Sequence, residues 1–152
     1  STLRGNVHTR LRKLEEENFD GIILAAAGLK RLGLLEQDTY EYTFLAPEEF
    51  IPAGGQGLMA VEAKAGTAAH SLAQAMDHAQ GRLCLDLERS VLKQLDAGCH
   101  EPIGIYSVLQ NEQLEVWGIS SPREEVKRIH LTGGTSRRDI EKLASEAWKG
   151  LM

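Results

Sequence analysis

One cysteine of this chain stands where a thiol can be used. In Leu95-Asp96-Ala97-Gly98-Cys99-His100-Glu101-Pro102-Ile103-Gly104 an amphipathic helical pattern runs out, a glycine stops it, and Cys99 follows as the chain turns. A thiol is the best nucleophile among the ordinary side chains, and a turn presents it outward rather than packing it. Cys99 is therefore the candidate point of covalent attachment. The competing reading is a small buried residue closing a helix. Cys84 sits beside the stripe Leu83, Leu87, Val91 and Leu95 and reads as core packing. A Cys-His nucleophile pair with His100 is disfavoured, because adjacent residues rarely face each other and no third, orienting group is identifiable. No metal is expected, since the cysteines lack CxxC spacing and His70, His78, His100 and His130 are scattered singly.

The second chemical feature is basic. Six residues up to Gly33 carry positive charge: Arg4, Arg10, Arg12, Lys13, Lys30 and Arg31. Arginine's planar fork captures carboxylate or phosphate in bidentate fashion. Arg12 and Lys13 read as a solvated helix face. Arg4, Arg10 and Arg31 fall at the ends of expected strands or in the helices that follow, where open α/β sheets collect their ligands. A thiol in one part of the chain and arginines in another suit a covalently held ligand with several carboxylates.

The elements that must position these groups follow from periodicity. Leu3-Arg4-Gly5-Asn6 reads as a strand end. Val7 to Glu17 is an amphipathic helix on Val7, Leu11 and Leu14. Asp20 to Ala25 is an apolar run expected to form a parallel strand buried on both faces. Ala26 to Gly33 is a brief helix closed by Gly33. Leu35 to Glu49 is irregular. Phe50-Ile51-Pro52-Ala53-Gly54-Gly55-Gln56-Gly57 is no phosphate loop, which needs a lysine and a following helix; a close-packed crossover or hinge is the physical account. Leu58 to Lys64 is expected as a strand, Thr67 to Asp77 as a helix capped by Thr67, and Arg82 to Asp96 as a longer helix. Three strands follow, Ile103 to Leu109, Leu114 to Ser120 and Glu125 to Leu131, turning at Gln110-Asn111-Glu112 and Ser121-Pro122. Ser136 and Asp139 stand in capping-box spacing before a final helix. Trp117 and Trp148 are expected in or beside the core.

The fold class is thus α/β: an open α/β sheet pattern over residues 1–46, a hinge or crossover with an expected strand at 47–65, then a small α+β domain over 66–152. With 152 residues and a net charge of −5, the chain lacks the basic excess of a general nucleic-acid binder. No apolar run reaches the roughly 18 residues of a membrane span. Without a signal peptide, and with two cysteines too few for a disulfide scaffold, a cytoplasmic setting is the default; the chain is expected to be a monomer.

Four motifs in order carry a resemblance. Leu3-Arg4-Gly5-Asn6-Val7-His8-Thr9-Arg10-Leu11, Asp20-Gly21-Ile22-Ile23-Leu24-Ala25 with Ala27-Gly28-Leu29-Lys30-Arg31-Leu32-Gly33, Pro52-Ala53-Gly54-Gly55-Gln56-Gly57, and Gly98-Cys99-His100-Glu101-Pro102-Ile103-Gly104 together resemble the hydroxymethylbilane synthase (porphobilinogen deaminase) family over nearly the whole chain. The resemblance implies a transferase of tetrapyrrole biosynthesis that joins four porphobilinogen molecules head to tail. It makes residues 1–46 the second half of a periplasmic-binding-protein-like α/β domain, 47–65 a hinge and crossover strand belonging to a first domain that is missing here, and 66–152 the C-terminal α+β domain that carries the cofactor cysteine. Growth takes place on a dipyrromethane cofactor held by a thioether, at Cys99 by motif match. Arg4, Arg10 and Arg31 fall on arginines that bind the acetate and propionate groups of cofactor and growing chain. Gln56 matches a motif glutamine near the hinge. The family's N-terminal half, with its catalytic aspartate, has no counterpart here, so no catalytic residue is assigned and the polypeptide alone is expected to be inactive unless a partner supplies that half. The residue-based alternative is a non-catalytic carboxylate-binding module, or a stable domain fragment, with an unmodified Cys99.

Overall fold

A computed structural model of the chain describes residues 3–94, 102–121 and 125–152. It divides into two compact units, Ser1–Leu45 and Ala46–Met152. The expectations for the end of the helix at Leu95 and Asp96, for the Cys99 turn and for a turn at Pro122 lie outside the described residues.

The first unit is built from two short helices. Helix α1, Val7–Glu16, starts where the Asn6 side chain accepts the Thr9 N–H, which satisfies one of the orphan donors of the first turn. Helix α2, Ala26–Arg31, ends before Gly33, whose φ of +65° turns the chain into a 3-10 turn at Leu34–Glu36. Leu11, Leu29 and Leu34 are the buried centre, with Val7, Ile22, Leu24, Tyr40 and Tyr42 packed around them. The Tyr42 hydroxyl donates to the Leu34 carbonyl at 3.1 Å and the Tyr40 hydroxyl to Glu15 at 2.8 Å, which ties the tail of the unit back over its helices.

Neither strand expected in this unit is formed among the described residues. Residues 21–25 keep a strand's alternation, with Ile22 and Leu24 inward, but Ile23 is 66% exposed. They are covered on one side rather than two. A strand is a pairing, not a local conformation, and its N–H and C=O groups need a neighbouring strand that the described residues do not provide. The same holds for residues 58–64, where Met59 and Val61 are 90% and 60% exposed and no ladder forms.

The second unit carries the sheet. Strands β1 (Ile103–Gln110), β2 (Gln113–Ser120) and β3 (Lys127–Gly133) form an antiparallel sheet in the order β1-β2-β3. Asn111 and Glu112 have φ of 49° and 62°, so the β1–β2 connection is a two-residue turn with both central residues left-handed, and it locks Gln110 opposite Gln113. β3 begins two residues later than its apolar pattern suggested.

Helix α3 (Ala68–Ala75) is capped by Thr67, whose hydroxyl oxygen accepts the His70 N–H and donates to the Lys64 carbonyl. It is shorter than its sequence pattern and buries none of its residues; Leu72 and Met76 face outward. Helices α4 (Ala79–Gln94) and α5 (Arg137–Leu151) pack on one face of the sheet. The core between them joins Leu87 and Val91 of α4, Ile105, Leu114 and Val116 of the strands, and Leu143, Ala144, Ala147 and Leu151 of α5. Alanines at 144 and 147 let α5 lie close to its neighbours. The α5 N-terminus shows the expected capping box between Ser136 and Asp139.

Trp117 departs from expectation. On β2 the residues Leu114, Val116, Gly118 and Ser120 point into the core, and the period of two sends Trp117 to the opposite face. There it stacks between its register partners Tyr106 and His130, at ring-centroid distances of 5.7 and 4.5 Å. Trp148 is half-buried on α5.

Candidate functional site

Arg10 is the best-defined basic group. Gly5 precedes α1 with φ of +126°, and a Cβ there would come within 2.7 Å of the Thr9 methyl. Only glycine fits this turn, which directs the Gly5 carbonyl toward Arg10. That oxygen accepts a 2.8 Å hydrogen bond from Arg10 Nε. Among the described residues the terminal guanidinium nitrogens of Arg10 have no hydrogen-bond partner, so the fork is aimed yet unspent. Arg4 and Arg31 are exposed. None of the three is in an ion pair among the described residues, whereas Arg12 pairs with Glu16 and Lys13 with Glu17 at 3.6 Å, as a solvated face does.

In the second unit the crossover motif is packed on α4 and β1. A Cβ on Gly54 would lie 2.7 Å from both Ile105 and Leu92, so the backbone occupies space that any other residue would need. The Pro52 carbonyl accepts the Ile105 N–H at 2.8 Å, which satisfies an outward donor of edge strand β1. Gln56 lines a cavity of about 250 Å³ with His78, Cys84, Glu88 and Tyr106. Burial pushes the Cys84 thiol above its ordinary value, while the Ser107 hydroxyl draws it back down. The half-buried Cys84 packs against the main core, as its place beside the α4 stripe suggests. Burial raises the Tyr106 phenol too, assisted by the nearby Glu48 charge.

The structure therefore brings Arg4, Arg10 and Arg31 into one unit and Gln56 into the other, while Cys99 lies outside the described residues. The sequence reading passed over Glu88. It lies on the α4 stripe with Leu83, Cys84, Leu87, Val91 and Leu92, and only 6% of it is exposed. A carboxylate on an apolar stripe was the available signal, because burial of an acid demands donors to hold it.

Two family models cover the chain in order. Residues 1–71 match "Porphobilinogen deaminase, dipyromethane cofactor binding domain" and residues 82–148 match "Porphobilinogen deaminase, C-terminal domain". The chain belongs to the porphobilinogen deaminase family. Proteins named porphobilinogen deaminase are similar to it over most of its length. That of Clostridium kluyveri is 46% identical over 117 residues, 77% of this chain and 39% of the relative. That of Clostridium perfringens is 40% identical over 131 residues, 86% and 44%, and that of Chromobacterium violaceum 46% over 118 residues, 77% and 37%. The chain thus spans less than half the length of these relatives. Porphobilinogen deaminases are transferases of tetrapyrrole biosynthesis, and the family's cofactor is dipyrromethane. Arg4, Arg10, Arg31 and Gln56 fall within the region matched to the cofactor-binding domain, and Cys99 within that matched to the C-terminal domain.

Proposed function

We propose that this chain is the cofactor-bearing part of a hydroxymethylbilane synthase, with dipyrromethane joined to Cys99 by a thioether. Arg4, Arg10 and Arg31 hold the acetate and propionate groups of the cofactor and of the growing polypyrrole, and Gln56 lies at the crossover between the parts. The substrate is porphobilinogen, four molecules of which are joined head to tail with loss of ammonia. The observation that carries this reading is the aimed fork of Arg10, fixed by Gly5 within the segment matched to the cofactor-binding domain.

The donor set fits such a ligand. Its carboxylates ask for several cations that are not already paired with acids, and Arg4, Arg10 and Arg31, none of them in an ion pair among the described residues, are suited to that role. Bound at Cys99, dipyrromethane supplies the pyrrole carbon on which the polymer is built. Arg10 contributes two parallel N–H donors whose direction is set before the ligand arrives, so little side-chain entropy is lost on binding. Arg4 and Arg31 add positive potential in the same unit and favour the fully ionised carboxylates.

The group that moves protons during deamination is assigned to the portion of the family protein that this chain does not match. On this reading the polypeptide alone turns over no porphobilinogen. A complementary polypeptide, or a longer chain, supplies that portion and the neighbouring strands that residues 21–25 and 58–64 await. On this reading the completed enzyme works in the cytoplasm as a monomer, without nucleic acid or membrane; among the described residues no helix is long and apolar enough to cross one.

Intact mass of the purified chain tests the proposal. A dipyrromethane adduct that is lost in Cys99→Ala and kept in Cys84→Ala supports it. An unmodified thiol together with reversible carboxylate binding supports a non-catalytic binding module in its place.

A further inference from the structure

We propose that Glu88 is a positioning residue that couples the glycine turn of the crossover to the two elements flanking Cys99. One oxygen of its carboxylate accepts the Gly55 N–H at 2.7 Å. The other accepts the Ser107 N–H at 2.8 Å and the Ser107 hydroxyl at 2.9 Å. Three donors from two distant segments thus converge on one buried carboxylate. Ser107 also reaches the Cys84 carbonyl at 3.1 Å, so its single hydroxyl proton is shared between two acceptors on α4.

The arrangement does more than satisfy a buried acid. Among the described residues no cation pairs with Glu88, which makes it an expensive way to fill a core position. What it provides is a cross-brace. Glu88 lies eleven residues before Cys99 on α4, and Ser107 eight residues after it on β1. The clasp therefore ties together the element that leads into the Cys99 segment and the element that leaves it. Its other arm holds Gly55, whose φ of +75° directs its N–H toward α4. With the Pro52 carbonyl on Ile105, the crossover turn is pinned to this frame at two points. The clasp stands on its geometry alone; its service to a cofactor rests on the function proposed above.

Residue-resolved amide hydrogen exchange on the whole chain tests this with three variants. Glu88→Ala should cost the amides of both Gly55 and Ser107 about tenfold or more in protection, as expected for loss of a hydrogen bond to a charged acceptor. Glu88→Gln presents one oxygen to two backbone N–H groups, so one of the two should lose protection and the other keep it. Ser107→Ala retains both backbone bonds and should leave Gly55 protected. Amides of β2, β3 and α5 should hold their protection in all three. Equal loss at Gly55, β2 and α5 in each variant would make Glu88 a general stabilising residue and overturn the proposal. Unchanged protection of Gly55 in Glu88→Ala would overturn it as well. Intact mass of the same samples reports on Cys99 separately: an unmodified thiol removes the cofactor role and leaves the clasp to be judged by exchange.

Discussion

Arg10 Nε donates to the carbonyl of Gly5 at 2.8 Å, and Gly5 can offer that carbonyl only because it has no side chain. The glycine sits at φ +126°, and any Cβ would strike Thr9. Gly5→Ala should therefore strain the entry to α1, at a cost of about 1–3 kcal/mol. Thermal unfolding followed by amide signals of α1 and α2 checks it, and the second unit should keep its own transition.

Arg10→Lys separates charge from shape. Lysine retains the positive charge but offers no fork and cannot reproduce the bond to Gly5 in the same direction. Affinity for a carboxylate ligand such as porphobilinogen, measured by calorimetry, should fall about tenfold, the scale of one charge-assisted hydrogen bond. Arg12→Lys, on the face paired with Glu16, should leave it unchanged.

Much of the second unit was legible in the chain. Thr67 and Ser136 announced helix starts because their hydroxyls have a local use that the next three residues complete. The three strands were legible in their alternation and in the polar turn at Asn111-Glu112. Trp117, expected in or beside the core, has the parity opposite to Leu114 and Val116 and therefore lies on the other face of the sheet. The apolar runs at 20–25 and 58–64 carry strand composition, but composition does not supply a neighbour, and the described residues pair with neither. Glu88 was missed because its donors, Gly55 and Ser107, are 33 and 19 residues away and only the folded chain brings them together. Of the candidate site, residue types and motif order were legible; the bond that aims Arg10 needed coordinates.

The α5 cap gives a pH-dependent prediction. Ser136 hydrogen bonds hold the Asp139 carboxyl below its ordinary value. A carboxyl lowered in the folded state contributes stability that is present above its unfolded value and lost as pH falls through the folded one. Helicity of α5 should therefore be full at neutral pH and decline as the solution is acidified below about pH 4. Ser136→Ala should weaken the cap by about 1 kcal/mol and blunt this decline. Circular dichroism against pH on both proteins checks the pair.

Cys84 should be a slow thiol. Burial raises its pKa, so at pH 8 little thiolate is available and access is restricted. Iodoacetamide should modify Cys84 much more slowly in the native chain than in urea, with a rate that continues to climb as pH rises beyond the ordinary thiol range. Equal rates in the two conditions would contradict the packing described for α4.

The central claim is that Cys99 carries a dipyrromethane, and intact mass spectrometry of the purified chain reaches it most directly. The account predicts a mass above that of the polypeptide by one dipyrromethane, absent from Cys99→Ala and retained in Cys84→Ala. A chain of unmodified mass, or an adduct that survives Cys99→Ala, would contradict it.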